Sequence, residues 1–381
     1  MRLALLLDRW DSRRGGLEGY AARWAAWLSK RGHEVHVVCW EAAPGSAGEL
    51  PVHRPANPRP FSPVRAARQL SRLAGGLGVD VVHDFGAGLG GDVFHPLYGG
   101  RRSGRRAQLT ALDPLSRISR LASPCWIGRQ AGLERLERLQ VRDPARLVVA
   151  CSRRVAADLV GTAGADPVRV RILYNAAAPR GERAGSGPLR SALRAAQGWP
   201  EESVVFLQAA HNPVLKGLAT SIRAVEILRR QGLDVRLAVA GRNTDTSPFR
   251  FLATRLGVQD RVAFLGFVPD LGPFFDAADA FVHPTLHDAC SLVCLEALAA
   301  GLPVAVSVRD GASELVTDGV QGWLIREPSD PREVAFQMKR LLDPGLRGAL
   351  GAQASVLASL HTEQAAFTKL EGLCAEEAGK R

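Results

Sequence analysis

Short, continuous apolar runs alternate with helical segments along most of the chain, and this alternation most restricts its fold. Runs such as Leu3–Leu7 and Ala280–His283 are typical of strands buried on both faces of a parallel sheet. Helical segments follow nearly all of these runs, and a helix linking two parallel strands forms a crossover unit. The pattern begins again at Ser203, so the sequence predicts an α/β protein with two doubly wound, Rossmann-like domains.

A stretch rich in glycine and arginine separates the two halves. Residues Arg180–Pro188 read RGERAGSGP, a composition that favours a linker. We therefore assign residues 1–180 to an N-terminal domain and residues 181–355 to a C-terminal domain. Residues 356–381 are predicted to form a C-terminal helix that packs back on the N-terminal domain.

Positive charge is concentrated in the first half of the chain. Residues 1–183 contain 29 Lys and Arg against 16 Asp and Glu, whereas residues 184–381 contain 20 against 22. This asymmetry indicates an anionic partner, which could be a membrane surface, a phosphorylated acceptor or a nucleic acid. Aromatic residues that could stack on bases are sparse in the basic stretch, so nucleic acid is disfavoured.

Within this half, one basic cluster has two interpretations. It is either a solvated helix face or a contact for anionic lipid headgroups or acceptor phosphates. Its members are Arg101, Arg102, Arg105 and Arg106.

The expected location is the cytoplasm, with peripheral contact to the inner face of the cytoplasmic membrane. The apolar core of the N-terminus, Leu3–Leu7, is too short for a signal peptide and is better explained as a buried strand. No apolar run is long enough to cross a bilayer. The six cysteines show no regular spacing, which is typical of reduced thiols.

The strongest local pattern is a strand, a short polar loop and a helix within His283–Val304. Ser291 is a plausible N-cap for this helix, whose free N–H groups and dipole favour an anion. Two carboxylates, Asp288 and Glu296, flank the turn and can accept hydrogen bonds from hydroxyl groups. The combination suits a sugar attached to a phosphate.

Two further loops between a strand and a helix could hold an anion. Gly15 and Gly16 allow close approach of the backbone to a phosphate. Lys216, directly before a helix, is well placed only if a phosphate lies between its ammonium group and the helix end. By contrast, Gly86–Gly91 matches the letters of a dinucleotide-binding motif, but a strand-like segment follows where that motif requires a helix, so we reject it.

Several of these segments together resemble the retaining family 4 glycosyltransferases of the GT-B fold, in which two Rossmann-like domains face a central cleft. The spacing of Asp288 and Glu296 fits the acidic signature of that family. Within the family, Gly91–Phe94 and His283–Thr285 look most like lipopolysaccharide core glucosyltransferases. The other segments that carry the resemblance, in order, are Gly15–Tyr20, Arg31–Val35, Leu173–Asn175, Leu215–Gly217 and Val258–Val262.

The resemblance implies a role for each matching residue. Lys216 would bind the donor diphosphate, which Gly15 and Gly16 would approach from the other domain. Glu296 would hold the ribose, and Asp288 the transferred sugar, with help from backbone N–H groups at Cys290, Ser291 and Leu292. Asp92 or His95 would lie near the reacting sugar and its acceptor. The catalytic candidates are thus Asp92, Lys216 and Asp288, and the candidates on the acceptor side are His95 and the four arginines of the basic cluster.

Three positions depart from the family pattern. The family usually has Glu at the position of Asp288, and aromatic and glycine residues at the positions of Cys290 and Ser291. An arginine often precedes the diphosphate-binding lysine, where this chain has Ala210 and His211. These departures leave the choice of donor open.

The expected activity is transfer of a hexose from a nucleoside diphosphate sugar, with UDP-glucose favoured, to a hydroxyl of an anionic or lipid-linked glycan such as a lipopolysaccharide core. No cofactor and no obligatory metal are expected, because Lys216 and the helix dipole would assist departure of the diphosphate. Cys290 and Cys294 could suggest a metal site, but no third ligand lies at a convincing spacing. Two alternatives stay open. They are a nucleotide-sugar epimerase of the same architecture, and a catalytically silent protein that binds a sugar or a partner.

Overall fold

The protein forms two compact units. The computed structural model describes residues 1–11, 16–46, 48–178, 188–241 and 245–380. The first unit comprises Met1–Leu109, Asp113–Tyr174 and Gln364–Arg381, and the second comprises Thr110–Leu112 and Asn175–Glu363. The predicted boundary at residue 180 falls within 179–187, which lies outside the described residues.

The first unit is built on a seven-stranded parallel sheet. The strands are β1 (Arg2–Trp10), β2 (Glu34–Ala42), β3 (Val52–His53), β4 (Val81–Asp84), β5 (Val93–Phe94), β6 (Leu147–Ala150) and β7 (Val170–Ile172). Their order across the sheet is β3-β2-β1-β4-β5-β6-β7. The helices along this part of the chain are α1 (Leu17–Lys30), α2 (Pro63–Gly75), α3 (Arg101–Ala111), α4 (Pro114–Leu121), α5 (Pro124–Val141) and α6 (Arg153–Asp158). A π-helical turn, Leu159–Ala163, extends α6.

The second unit repeats the architecture with six parallel strands. They are β8 (Val204–Ala209), β9 (Val235–Ala240), β10 (Val262–Gly266), β11 (Ala280–His283), β12 (Val304–Ser307) and β13 (Gly322–Ile325), in the order β10-β9-β8-β11-β12-β13. The helices that follow along the chain are α7 (Pro188–Ala196), α8 (Leu218–Arg230), α9 (Ser247–Arg255), α10 (Gly272–Ala277), α11 (Leu292–Ala299), α12 (Pro331–Arg340), α13 (Pro344–Leu360) and α14 (Glu363–Ala378).

Both strand orders have the Rossmann arrangement, in which the first strand of the unit lies at the centre and the order reverses beside it. The predicted fold class, two Rossmann-like domains, is therefore confirmed. In each sheet the central strands are buried on both faces: Leu5 of β1 and Phe206 of β8 have no exposed surface. Full burial of such a side chain stabilises the folded protein by about 1.5–3 kcal/mol. Strands buried on both faces therefore consist of continuous apolar runs, and these runs can be recognised in the sequence.

Residues 356–381, predicted to form one helix, instead contain the end of α13 and then α14. α13 ends at His361, whose backbone is not helical (φ −119°, ψ 61°), and α14 then begins. Residues from Gln364 onward belong to the first unit. There Phe367 of α14 packs against Trp24, with ring centroids 5.1 Å apart, and Glu371 accepts a hydrogen bond from Arg31 at 3.0 Å.

Candidate functional site

The main cluster of predicted site residues lies where the second sheet changes direction. The strand order reverses between β8 and β11, which are neighbours. Lys216 follows β8 and Asp288 follows β11, so both lie beyond the carboxyl ends of these strands. In open α/β sheets, ligands bind at this switch point.

Hydrogen bonds and a close backbone contact hold the loop after β8 against the loop after β11. The Leu286 N–H donates to the Leu215 carbonyl at 2.8 Å, and the Gln208 side-chain amide donates to the Lys216 carbonyl at 2.8 Å. Gly217 has φ of 69°, and a Cβ there would lie 2.2 Å from the carbonyl oxygen of Pro284. Only glycine fits this position, and the close contact fixes where the Lys216 side chain emerges.

Lys216 and Asp288 form an ion pair at this point. The Lys216 Nζ contacts Asp288 Oδ2, and the two side chains are 18% and 20% exposed, so a ligand could still reach them. His283 Nε2 lies 3.4 Å from the same carboxylate oxygen. Burial disfavours the charged carboxylate, but Lys216 and His283 more than offset it and hold the pKa of Asp288 below its usual range.

Asp310, which the sequence analysis missed, completes the cluster. Its side chain is fully buried, and Oδ1 accepts the N–H groups of Ser291 at 3.0 Å and Ala312 at 2.9 Å. Among the described residues, nothing donates a hydrogen bond to Oδ2, which lies 3.7 Å from His283 Nε2. Burial and the neighbouring charge of Asp288 raise the pKa of Asp310. The sequence did contain an indication that Asp310 lies near the site, because Asp310 follows the next strand, β12, at the same edge of the sheet.

Helix α11 begins as predicted, with Ser291 as its N-cap. The Ser291 hydroxyl accepts the Cys294 N–H at 3.1 Å. The predicted contact between the Ser291 N–H and the donor needs correction, because this N–H donates to Asp310 instead. Cys290 is buried, and its carbonyl accepts a hydrogen bond from the Asn175 side chain at 2.8 Å.

The remaining first-turn N–H groups of α11, beginning at Leu292, have no acceptor within the helix. They and the helix dipole can therefore serve an anion at this end. Glu296, half-buried, lies about one turn further along the same helix.

Three side chains of the cluster could also coordinate a cation. The ligand atoms of His283, Asp288 and Asp310 all lie within 4.8 Å of one another. The Lys216 ammonium group already supplies a positive charge to this set. Cys294 is unsuited as a ligand because burial, together with Asp310 and Asp288, raises its pKa far above the usual range and keeps the thiol protonated.

In the first unit, Gly16 lies at the corresponding edge. It precedes α1 as its N-cap with φ of 71°, and its Cβ position is open space. Gly15 lies outside the described residues.

Asp92 lies at the opposite edge from the one expected. It directly precedes β5, so it sits at the amino ends of the strands. Its Oδ2 accepts the Val82 N–H at 2.7 Å, and its own N–H donates to the Val82 carbonyl at 3.0 Å. This geometry corrects the prediction that placed Asp92 beside a reacting sugar, because ligands bind at the carboxyl edge of such sheets.

His95 follows β5 at the carboxyl edge but has no exposed surface. Its ring stacks on His83, with centroids 5.5 Å apart, and meets Tyr20 edge-on at 5.9 Å. Burial lowers the pKa of His95 to about 3, so the ring is neutral at physiological pH. The prediction that His95 faces an acceptor therefore needs correction, since aromatic side chains cover it.

The four arginines of the basic cluster lie in the first turns of α3. Arg101 stacks on the Tyr98 ring at 3.4 Å, and Arg105 pairs with Glu134 at 2.7 Å. Arg102 and Arg106 are exposed. The side chains of Arg101 and Arg105 are thus engaged within the protein.

Comparisons with known proteins agree with this fold. A family model described as Glycosyltransferase Family 4 matches residues 14–179, and one described as Glycosyl transferases group 1 matches residues 190–355.

Two curated relatives are similar over part of their length. D-inositol 3-phosphate glycosyltransferase of Acidothermus cellulolyticus is 34% identical over 207 residues, which cover 51% of this chain and 45% of the relative. The lipopolysaccharide glucosyltransferase WaaG of Escherichia coli is 31% identical over 157 residues, 40% of this chain and 41% of the relative. The chain thus matches less than half the length of each.

Solved structures match over nearly the whole chain. A crystal structure of WaaG has a TM-score of 0.79 at 23% identity and covers 98% of this chain and 99% of its own. HepE of Anabaena, in complex with UDP and glucose, has a TM-score of 0.74 at 21% identity and covers 98% of both chains. With both family models matched in order along two Rossmann-like units, the chain belongs to the GT-B glycosyltransferases and is related to the lipopolysaccharide core glucosyltransferases.

Proposed function

We propose that the protein is a retaining glycosyltransferase that moves a hexose from a nucleoside diphosphate sugar, with UDP-glucose favoured, to a hydroxyl of an anionic or lipid-linked glycan. The observation that carries the proposal is the Lys216–Asp288 pair beside the N-terminus of α11 at the switch point of the second sheet. A cation, free N–H groups and a hydroxyl acceptor then surround one point, as a sugar diphosphate requires.

The pair would separate when the donor binds. The Lys216 ammonium group would move from Asp288 to the diphosphate, and the released Asp288 carboxylate would accept a hydroxyl of the sugar. The bond from the sugar C1 to the diphosphate oxygen then breaks, and its electron pair leaves with the nucleoside diphosphate. A bond from C1 to the acceptor oxygen forms on the same face, and the acceptor proton leaves with the diphosphate.

Lys216 and the helix dipole would stabilise the charge that develops on the leaving diphosphate. We therefore propose that the reaction has no obligatory metal, although His283, Asp288 and Asp310 are close enough to hold one. Glu296, further along α11, would hold the ribose hydroxyls.

The relatives support both the donor and the class of acceptor. The HepE complex contains UDP and glucose. The names of the curated relatives specify an inositol phosphate and a lipopolysaccharide, which are anionic. A lipopolysaccharide core is therefore the acceptor we propose first.

We also propose peripheral contact with an anionic membrane through α4. None of the described residues forms a helix long and apolar enough to cross a membrane. In α4, Leu115, Ile118 and Leu121 are 79%, 63% and 49% exposed and lie three residues apart, on one side of the helix. Arg117 and Arg120 flank them, a combination typical of helices that lie in the headgroup region.

The direct test is release of UDP from UDP-glucose in the presence of deacylated lipopolysaccharide core, with the product anomer identified by NMR. Replacing Lys216 by Met should lower kcat on the order of a hundredfold or more, as expected when a charge that stabilises the leaving group is removed. Lys339→Met, on the surface of the same unit, is the matched control and should be neutral. Addition of EDTA should leave the rate unchanged.

Three outcomes would contradict the proposal. Conversion of the donor to another sugar nucleotide without acceptor would identify an epimerase. Binding of UDP-glucose without turnover on any acceptor would identify a silent binding protein. Loss of activity with EDTA, restored by a divalent cation, would assign the metal an essential role.

A further inference from the structure

A cavity in the first unit lies away from the carboxyl edge of its sheet. Its volume is about 450 Å³, and it is lined by Arg68, Ser71, Arg72, Gly75, Val82, Leu89, Gly90 and Gly91. Because α2 runs antiparallel to the strands, its last turns lie beside the amino end of β4. This pocket is therefore separate from Gly16 and from the loops at the other edge.

The glycine loop after β4 already holds one anion. The N–H groups of Gly86, Ala87 and Gly88 all donate to Asp84 Oδ1, at 2.8, 2.8 and 2.9 Å. The other oxygen, Oδ2, pairs with Arg146 at 2.5 Å. Converging backbone N–H groups of this kind form an anion-binding concavity. The first half of the loop is thus filled by a carboxylate of the protein itself.

The second half of the loop opens onto the pocket. Gly90 and Gly91 have φ of 101° and 144°, and a Cβ on Gly91 would lie 3.0 Å from a Val82 methyl group. Ser71 anchors the turn: its hydroxyl accepts the Leu89 N–H at 2.7 Å and donates to the Gly90 carbonyl at 3.3 Å. Within the described part of the chain, the N–H groups of Gly90 and Gly91 have no hydrogen-bond partner.

Two guanidinium groups complete the lining of the pocket. Arg68 and Arg72 lie one turn apart on α2, and both are exposed. No described carboxylate pairs with either, and the nearby Asp92 is occupied by the Val82 N–H. The carbonyl end of α2 weakly opposes an anion here, but two full positive charges outweigh it.

We propose that this pocket binds a phosphomonoester group, held by Arg68, Arg72 and the N–H groups of Gly90 and Gly91. Guanidinium groups match the oxygens of a phosphate, and every free group named is a donor. The volume exceeds that of a phosphate ion, so the group is carried by a small molecule or by a lipid headgroup. The site does not depend on the proposed transferase activity.

The test is calorimetric titration of the full-length protein with inorganic phosphate and with glycerol 3-phosphate at constant ionic strength. Arg72→Gln is expected to weaken binding of both on the order of tenfold, as for loss of a hydrogen bond to a charged group. Arg65→Gln removes the same charge from the same helix outside the pocket and should change the affinity less than twofold.

Binding to vesicles of phosphatidylcholine with and without phosphatidic acid distinguishes the two sources of the phosphate group, a lipid headgroup and a free metabolite. Weakening of both glycerol 3-phosphate and phosphatidic acid binding by Arg72→Gln supports the pocket with a lipid headgroup as its source, and weakening of glycerol 3-phosphate binding alone supports a free metabolite. Equal losses in Arg72→Gln and Arg65→Gln would overturn the proposal in favour of general charge attraction. Absence of measurable phosphate binding by the unaltered protein would overturn it as well.

Discussion

One carboxylate oxygen of Asp310 connects two segments of the candidate site, and the other is buried and has no hydrogen-bond donor among the described residues. Oδ1 joins the start of α11 to the segment after β12 through Ser291 and Ala312, whereas Oδ2 faces His283. Asp288 is one methylene shorter than the glutamate usual in the family. Asp310 does not restore this reach, because its side chain is fully buried.

We expect Asp310→Ala to lower the free energy of unfolding by about 1–3 kcal/mol, because two buried N–H groups lose their acceptor. Urea denaturation at pH 7.5 measures the change. Asp310→Asn keeps the Oδ1 acceptor and should retain most of the stability. If Asp310→Ala is as stable as the unaltered protein, the structural role assigned to Oδ1 is incorrect.

Because His95 is buried, we expect the free energy of unfolding to depend on pH. Burial lowers its pKa from an ordinary value of 6.5 to about 3 in the folded protein. Between these two values the unfolded chain binds a proton that the folded protein does not, so stability is complete above about pH 6.5 and falls as the pH is lowered towards 3.

His95→Leu removes this proton uptake. The free energy of unfolding of the variant should therefore decline less steeply between pH 7 and pH 5 than that of the unaltered protein, as measured by urea denaturation at several pH values. His211→Leu, at an exposed position, should leave the slope unchanged. Identical slopes for His95→Leu and the unaltered protein would show that His95 is not the group responsible.

Helix α4 has no buried residue, although three apolar side chains lie along one side of it. A helix in a soluble unit normally turns an apolar stripe towards the core, whereas the stripe of α4 faces outward. This outward-facing stripe is the reason for the proposal that α4 contacts a membrane surface.

Replacing Leu115 and Ile118 by Gln should weaken binding to anionic vesicles on the order of tenfold or more, because a buried Leu or Ile contributes about 1.5–3 kcal/mol. Vesicle sedimentation with and without phosphatidylglycerol measures the effect. Leu360→Gln, which replaces a side chain that is 71% exposed on α13, is the control. Unchanged binding after the double replacement would contradict a role for α4.

At the scale of the whole molecule, the sheets of the two units share one order over six strands, to which the first adds a seventh, but the chemistry at their edges differs. The second unit gathers Lys216, His283, Asp288 and Asp310 at its switch point. The first unit instead buries aromatic and histidine side chains beneath the start of α1.

Hydrogen exchange in the presence of a donor sugar should distinguish the two units. UDP-glucose is expected to slow amide exchange in segments 210–217 and 284–296 of the second unit, because binding stabilises the loops it contacts. The Lys216→Met variant, measured by mass spectrometry under the same conditions, should show weaker protection. Absence of protection in both segments would place the donor elsewhere.

The strands, the helices and the family could be predicted from the sequence because they depend on local periodicity and on short motifs. Ser291 as an N-cap and the proximity of Lys216 to Asp288 follow from the same rules, since strand carboxyl ends share an edge of the sheet. The sequence alone therefore determined two Rossmann-like domains and the loops that carry the candidate site.

The tertiary structure decided which side chains are available within that framework. Asp92 directly precedes a strand of only two residues, and the strand register, which depends on partners distant in sequence, placed it at the amino edge. Packing against Tyr20 of α1 and His83 of β4 buried His95, and the turn after β12 brought Asp310 to Ser291. These outcomes depend on contacts between distant segments, and the spacing of residues along the chain does not encode such contacts directly.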